Sequence, residues 1–294
     1  MHWPADHPAI TDPALSPWAG EVDSLCPEAE VVRLLRHLPG RRATTMVRSE
    51  AGPAVLKLFA TSRARGGHRR LAAFGETAAA DLVPRALGHR KGHLALVEFV
   101  PGTPLVDLVG DEPVRSCAVA GLALRRLHAS GADLGRTWGP DDEIDQLRRT
   151  AGPVTRHGVE QAARWARPGA RAVVPSHRDC HPAQVIRTAS GVRFIDLDDC
   201  AMAPPALDVG NFVAHLQMEG HLGRWSREVA GAAAAAFMEG YGSEPDGLAW
   251  WNLVSLARLA ALAETRHGWP SRARGLLELL AETRAGATAR TGPA

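Results

Sequence analysis

The chain has little of several residue types that would assign it to a particular class of protein. Only four cysteines occur among its 294 residues, at positions 26, 117, 180 and 200. Their wide, irregular spacing matches neither a CxxC metal site nor a dense disulfide framework. We therefore expect reduced thiols and a cytoplasmic protein.

An excess of charge of one sign is also lacking. The 34 basic and 32 acidic side chains leave a formal charge of +2, and the basic residues are scattered along the chain. A nucleic-acid partner would favour a concentrated basic patch. We expect no nucleic-acid partner.

Long apolar runs are absent as well. Prolines and aspartates interrupt the N-terminus, which excludes the apolar core of a secretion signal. The most apolar C-terminal stretch, residues 248–262, contains Asn252 and Arg258 and is too short and too polar to span a bilayer. We expect neither a signal peptide nor a membrane span.

Lysine is rare: Lys57 and Lys91 are the only two, against 32 arginines. Lys57 lies in the apolar run Val55–Phe59, which is typical of a strand. Such a lysine could have a purely structural role, because lysines on edge strands discourage pairing with other strands. Because arginine is so much more common in this chain, however, Lys57 raises the question of why this position has lysine and not arginine.

The length of the chain predicts two lobes, because single cores rarely grow beyond about 250–300 residues. We expect an α+β protein with a small β-rich N-lobe over residues 29–100 and a larger, mainly helical C-lobe over residues 101–285. Residues 1–28 are rich in proline and tryptophan and predict an irregular arm. Residues 286–294 predict a frayed tail.

Short apolar runs predict the elements of the N-lobe. Residues 44–48 and 54–59 favour β-structure, and the Gly52-Pro53 pair between them suits a tight reversal, so they predict a hairpin. Residues 28–38 are compatible with a short helix or a first strand. The other predicted elements are a helix over residues 68–80 and a strand over residues 94–100.

Apolar positions at three- and four-residue steps predict helices in the C-lobe. These cover residues 115–130, 143–150, 159–166, 207–216, 224–241, 248–265 and 272–284. A short strand over residues 172–175 and a second hairpin, over residues 184–187 and 192–197, lie among them.

The segment Ser176–Gln184 carries the strongest functional signal. It leaves one predicted strand and enters the second hairpin, which ends near Asp196, seventeen residues after Asp179. Because two hairpin ends lie side by side, this topology can bring Asp179, Gln184 and Asp196 together.

These residue types suit phosphoryl transfer, which needs an aligned hydroxyl and cations over the developing charge. Mg²⁺ takes oxygen ligands and keeps several waters, so Asp196 and Gln184 can supply enough protein oxygens. Asp179 can accept the hydrogen bond of the attacking hydroxyl.

The His177-Arg178-Asp179 stretch, with an amide five residues later and an apolar-Asp pair beyond it, resembles the catalytic and metal-binding loops of the protein-kinase-like superfamily. The form His-x-Asp-x-His-Pro looks like the aminoglycoside phosphotransferase and choline kinase branch. The resemblance implies a bilobal kinase-like fold with ATP and Mg²⁺ between the lobes. It implies Asp179 as the catalytic aspartate, with His177 as structural support. It also implies Gln184 and Asp196 as metal ligands and Asp208 as the brace of the catalytic loop.

The resemblance extends to the N-lobe. It implies that Lys57 holds the α- and β-phosphates, where a compact ammonium fits a slot that the Arg fork does not. Glu98 and Val100 resemble the hinge that binds adenine through its backbone. Glu76 is the candidate partner of Lys57, with Asp81 as a competitor.

The sequence departs from the family pattern at three places. Gln184 stands where asparagine is usual. Asp198 replaces a glycine and adds a carboxylate that could bind a second ion. The phosphate-covering loop has one glycine, so Arg41 or Arg42 could contact phosphate in place of backbone amides.

Several other side chains have two interpretations. His181 could act as a base or pack the loop. The basic run at residues 63–70 could bind a phosphorylated substrate or begin a solvated helix. The acidic cluster Asp141-Asp142-Glu143 could recognise a cationic substrate or cap a helix.

The predicted function is transfer of the γ-phosphoryl group of ATP to a hydroxyl of a small molecule, such as an antibiotic, sugar, amino sugar or amino alcohol. No Ala-Pro-Glu activation segment follows Asp196, which argues against a protein substrate. The alternative is a catalytically weak nucleotide-binding protein that regulates a partner, which the departures at Gln184 and Asp198 favour.

Overall fold

The computed structural model describes residues 3–169, 172–266 and 268–291, with side chains described up to residue 286. The chain forms two compact units. The first consists of Met1–Gly102, Ala132–Leu134 and Arg193–Cys200, and the second of Thr103–Gly131, Gly135–Val192 and Ala201–Ala294. The sequence predicted two lobes that are each continuous along the chain. In the structure, residues 193–200 belong to the first unit.

The first unit contains a five-stranded antiparallel sheet of order β1-β2-β3-β5-β4. The strands are β1 (Glu30–Leu38), β2 (Arg42–Ser49), β3 (Gly52–Phe59), β4 (Ala86–Arg90) and β5 (Leu94–Glu98). Residues 28–38, compatible with helix or strand, thus contain a strand. The first predicted hairpin is β2-β3, which places Lys57 opposite Thr44 on one side and Ala95 on the other.

Three helical segments pack with this sheet in the first unit. Helix α2 covers Ala64–Gly75, earlier in the chain than the predicted helix over residues 68–80. The N-terminal arm contains helix α1 (Pro8–Thr11) and a 3-10 helix (Ser16–Glu21). The core lies between arm and sheet, where Leu15, Val22, Val47, Leu56 and Leu58 are buried.

The second unit is mainly helical. Its helices are α3 (Glu112–His128), α4 (Pro140–Thr150), α5 (Arg156–Ala163), α6 (Pro205–His221), α7 (Arg227–Tyr241), α8 (Leu248–Thr265) and α9 (Pro270–Thr291). Helix α8 is the centre of its core, because Trp251, Val254 and Ala257 are buried among the neighbouring helices. The predicted frayed tail is helical as far as Thr291, and residues 292–294 lie outside the described residues.

Helices α3 and α7 approach each other through two glycines. A Cβ atom at Gly121 would lie 2.1 Å from the Phe237 carbonyl oxygen, and one at Gly240 would lie 2.0 Å from that of Ala118. Real Cβ atoms do not come so close to backbone oxygens, so this interface requires glycine at both positions.

Short strands connect the helices. They are β6 (Thr103–Pro104), β7 (Val174–Ser176), β8 (Val185–Thr188), β9 (Gly191–Phe194) and β10 (Ala201–Ala203). Strand β7 pairs with β10 and leads into the segment of functional interest. A search of the described helices for a bilayer-spanning stretch finds none that is long and apolar enough. The small antiparallel sheet and the larger helical part confirm the predicted α+β class.

Candidate functional site

Asp208 braces the loop that follows β7. It lies fully buried in the first turn of α6. Its Oδ2 and Oδ1 accept the backbone N–H groups of His177 and Arg178, each at 2.7 Å. Arg178 has a φ of +70°, a left-handed conformation that is costly for a residue with a side chain. The two charge-assisted hydrogen bonds offset that cost and fix the backbone next to Asp179.

A buried polar chain supports Asp208 from behind. His128 Nε2 lies 3.1 Å from Asp208 Oδ2, and His128 Nδ1 lies 2.9 Å from the Tyr241 hydroxyl. Burial raises the pKa of Tyr241 to about 12, so its hydroxyl stays protonated. His128 thus links the Tyr241 hydroxyl to the carboxylate that braces the loop.

Asp179 carries a partly exposed carboxylate at the turn of this loop, with a relative side-chain accessibility of 48%. Its Oδ1 lies 3.5 Å from Nη1 of Arg258, and its Oδ2 lies 3.8 Å from Nε2 of His181. His177 Nδ1 accepts the Asp179 N–H at 3.3 Å, consistent with a supporting position for His177. A carboxylate held at both oxygens yet open to solvent can accept a proton from a bound hydroxyl.

Sequence reasoning missed two residues that contact this loop. Arg258, on α8, is buried, and its Nη2 donates a hydrogen bond to Asn211 Oδ1. Asn211 Nδ2 in turn donates to the carbonyl of Cys180 at 2.7 Å. The available signal was an arginine within an otherwise apolar helix, since a buried charge requires partners.

Gln184 and His181 lie in the later part of the same loop, after Asp179. Gln184 is buried at the end of a 3-10 turn over Pro182–Gln184, and its N–H donates to the His181 carbonyl at 2.8 Å. The His181 ring stacks on that of His215 with the ring centroids 4.2 Å apart. Burial, together with the charges of His181 and Arg258, holds the pKa of His215 well below its usual value.

The first unit contains a cluster of four charged residues, which we call the ionic quartet: Lys57, Arg42, Asp196 and Asp198. Lys57 Nζ lies 2.7 Å from Asp196 Oδ1 and 2.7 Å from Asp198 Oδ1. Arg42 Nη1 lies 3.2 Å from Asp196 Oδ1 and 2.8 Å from Asp198 Oδ2. Asp196 follows β9 with a φ of +63°, which directs the chain into the turn that carries Asp198.

The quartet is mutually neutralised. Burial alone would lower the pKa of Lys57, but Asp196 and Asp198 outweigh it and raise that pKa. Burial would likewise raise the pKa of Asp196, but the charges of Lys57 and Arg42 hold it well below its usual value. For Asp198, burial and the nearby Asp196 charge raise the pKa. Lys57 and Asp196 are therefore both charged.

Glu76 was predicted to be the partner of Lys57, and this is wrong in the structure. Helix α2 ends at Gly75, so Glu76 forms the C-cap and its side chain is exposed. Asp81, its competitor, is exposed in a 3-10 helix over Ala80–Leu82. The carboxylates next to Lys57 come instead from the turn after β9. Arg41 is also exposed, whereas Arg42 belongs to the quartet.

The predicted adenine-binding segment follows β5. The Glu98 carboxylate is held by Arg193, at 3.0 Å and 2.8 Å, and this hydrogen bonding lowers its pKa. The Glu98 N–H donates to the Arg85 carbonyl at 3.0 Å. Val100 is buried, and in the described part of the chain its N–H has no hydrogen-bond acceptor. An N–H without an acceptor in the protein is a group that a ligand can satisfy.

The donor atoms fit a hard cation better than a soft one. Asp196 and Asp198 supply carboxylate oxygens, and the four cysteines are free, buried thiols. A cluster of three or more His, Cys, Asp or Glu ligands is not found among the described residues. Mg²⁺ fits such a site, because it needs one or two carboxylates and takes its other oxygens from waters and phosphates.

Comparison with known proteins gives one family and one fold. The model of the phosphotransferase enzyme family matches residues 34–251. A search of curated protein sequences finds no match. Among solved structures, choline kinase from Cryptosporidium parvum Iowa II is similar with a TM-score of 0.65 and 10% identity, over 92% of this chain and 96% of that one.

Two further solved structures are similar. An aminoglycoside phosphotransferase from Streptomyces rimosus ATCC10970 has a TM-score of 0.58 and 17% identity, over 90% of this chain and 97% of that one. A glucosamine kinase, solved with glucosamine, ADP and inorganic phosphate, has a TM-score of 0.60 and 18% identity, over 90% of this chain and 83% of that one. At these identities the likeness concerns the fold, and it confirms the kinase-like fold predicted from the sequence.

Proposed function

Because the chain belongs to the phosphotransferase enzyme family, we propose that it transfers the γ-phosphoryl group of ATP to a hydroxyl of a small molecule. The observation that carries the proposal is the contact between the buried Lys57 ammonium and Asp196, at 2.7 Å. Burying an ion pair costs desolvation free energy and is poor evidence of a stabilising role. An ammonium beside a carboxylate does suit a site for phosphates and a divalent cation.

The chain's own residues divide the work as follows. Lys57 binds phosphate oxygens as a point charge, and the Val100 N–H and the Glu98 carbonyl bind adenine. Gln184 and Asp196 are the protein ligands of Mg²⁺. When bound, Mg²⁺ supplies charge neutralisation on the phosphates. Asp179 accepts the proton of the acceptor hydroxyl.

The braces around Asp179 support its role as the base. Asp208 fixes the backbone before it and Asn211 the carbonyl after it. Arg258 lies against one carboxylate oxygen. A base held in this way loses little orientational freedom when the hydroxyl binds, which lowers the cost of reaching the transition state.

The acidic cluster on α4 bears on the acceptor. Asp142 caps the helix by accepting the Gly139 N–H at 2.8 Å, and Asp141 pairs with Arg167 at 2.7 Å. Glu143 is buried and accepts the Trp138 Nε1–H at 2.9 Å. Since these carboxylates are engaged within the protein, we favour an acceptor with few positive charges over a polycation.

The test is ATP consumption with Mg²⁺ against a panel of aminoglycosides, amino sugars, sugars and amino alcohols. Turnover on one class, lost together with Mg²⁺-dependent ATP binding in Asp196→Ala, is the expected result. ATP binding without turnover on any compound, unchanged by Asp179→Ala, would favour the regulatory alternative. Failure of the wild-type protein to bind ATP would contradict both.

A further inference from the structure

Two of the departures from the family pattern meet in the first unit. Arg42 begins β2, directly after the loop with one glycine, and Asp198 occupies a glycine position after β9. They are 156 residues apart, yet Arg42 Nη1 donates to Asp198 Oδ2 at 2.8 Å. The sequence presents two separate substitutions, whereas the structure presents one ion pair.

Both carboxylate oxygens of Asp198 are engaged by cations. Oδ1 accepts from Lys57 Nζ at 2.7 Å, and Oδ2 accepts from Arg42. The side chains of Arg42 and Asp198 each have a relative accessibility of 16%, so water screens this pair only partly. Asp198 thus neutralises the two cations that are closest to the proposed phosphate site.

The position of Asp198 is fixed by its backbone. Arg70, on α2, donates from Nη2 to the Asp198 carbonyl at 2.6 Å. The side chain at position 198 should therefore stay near Lys57 and Arg42 when asparagine replaces aspartate. Such a variant tests the effect of the charge with little change in position.

The backbone amides of the loop are already used within the protein. The N–H of Gly40, the glycine of this loop, donates to Asp12 Oδ2 at 2.8 Å, and the Arg41 N–H donates to the Leu38 carbonyl at 3.0 Å. In a glycine-rich phosphate loop such amides would face the ligand. Here the Arg42 side chain, a member of the quartet, can donate in place of those amides.

We propose that Arg42 is a phosphate ligand of this site and that Asp198 is its counter-ion, which holds Arg42 and Lys57 until nucleotide phosphates replace it. The inference deepens the proposed function and rests on it. The guanidinium fork matches phosphate oxygens as well as carboxylate oxygens, so the exchange conserves hydrogen bonds. Asp198 then competes with the nucleotide and is not a metal ligand.

The two roles of Asp198 predict opposite effects on nucleotide binding. A counter-ion weakens binding, so Asp198→Asn tightens ADP when Mg²⁺ is removed. A metal ligand strengthens binding, so the same substitution weakens ADP only when Mg²⁺ is present.

The experiment is calorimetric titration with ADP, in EDTA and in Mg²⁺, on the full chain. We expect Asp198→Asn to tighten ADP about tenfold in EDTA and Arg42→Gln to weaken it about tenfold in both buffers. Combining the two should remove most of the gain. Matched controls are Asp199→Asn, next to Asp198 and paired with the exposed Arg63, and Arg48→Gln, exposed on the same strand as Arg42. Both should leave ADP affinity within about twofold.

If Asp198→Asn weakens ADP binding in Mg²⁺ and does not increase the affinity for ADP in EDTA, the inference is overturned and Asp198 is a metal ligand. Unchanged affinity in both buffers would overturn it too. If Arg42→Gln unfolds, Arg42→Lys replaces it and should retain part of the affinity. A wild-type protein that binds ADP in neither buffer would refute the proposed function and this inference together.

Discussion

Lys57 Nζ lies 2.7 Å from Asp196 Oδ1, although 139 residues separate them in the chain. The Lys57 side chain, on β3, has a relative accessibility of only 7%, so the ammonium has little water around it. Protein carboxylates therefore neutralise the Lys57 ammonium, and phosphate oxygens could take their place as its partners.

Replacing Lys57 by Met should abolish ATP binding and destabilise the protein. Two partly buried carboxylates would lose the ammonium that neutralises them, and removing one member of a buried ion pair costs about 3 kcal/mol. Denaturant unfolding measures the free energy of unfolding, and calorimetry measures the affinity for ATP. Lys91→Met is the control, because the only other lysine is exposed in a turn. Equal stability of the two variants would contradict the role of Lys57.

Asp208→Ala should lower both stability and turnover. The substitution leaves the N–H groups of His177 and Arg178 without their acceptor, at a cost of about 3 kcal/mol. The loop that carries Asp179 would then lose its fixed backbone. We expect a fall in kcat larger than any change in the affinity for ATP. Asp145→Ala, at an exposed position of α4, should change neither stability nor kcat.

The stability of the protein should decrease as the pH falls below about 6.5, because buried His215 has a lowered pKa. The unfolded chain takes up a proton at His215 that the folded protein does not. Its contribution is therefore present above the unfolded pKa of His215 and is lost as the pH falls towards the folded one. Each such histidine gives a slope of up to about 1.4 kcal/mol per pH unit.

His215→Gln should flatten this dependence in denaturant unfolding between pH 5 and 7. His7 and His68 also have pKa values lowered mainly by burial, so a smaller slope in the same direction should remain. An identical slope in the variant and the wild type would show that His215 does not contribute.

Gly121→Ala and Gly240→Ala should each destabilise the contact between α3 and α7. The added methyl would lie about 2 Å from a backbone oxygen, and forcing the helices apart costs at least about 2 kcal/mol. Gly231→Ala, on α7 with no atom within 4 Å of the added Cβ, should be neutral or stabilising. Thermal unfolding of the three variants tests this prediction, and equal melting temperatures would contradict it.

The local patterns of the sequence predicted the fold class and most elements. The apolar runs of the first hairpin and the periodicity of residues 248–265 correspond to β2-β3 and α8. Strand β4 was missed, because its five residues, Ala86–Arg90, include a glycine, a histidine and an arginine and form no apolar run. Its strand character comes from pairing with β5, which is a tertiary effect.

The contacts of the site were harder to predict than its residues. Spacing and residue type selected Lys57, Asp179 and Asp196, but neither reveals which side chains contact one another. Glu76 was selected because it lies within the helix predicted over residues 68–80, whereas the helix ends at Gly75 in the structure. The only local signal of Arg258 is a charge within a mostly apolar segment, and it does not identify the partner, because the contact with Asp179 exists only after α8 packs in the second unit.

The measurement that tests the central claim most directly compares wild-type protein with Asp179→Asn, at saturating ATP and Mg²⁺, on the acceptor that the panel identifies. The account predicts unchanged ATP affinity and a loss of turnover of about a hundredfold or more, because the amide cannot accept the proton of the hydroxyl. Full turnover by Asp179→Asn would show that another group is the base and would contradict the account.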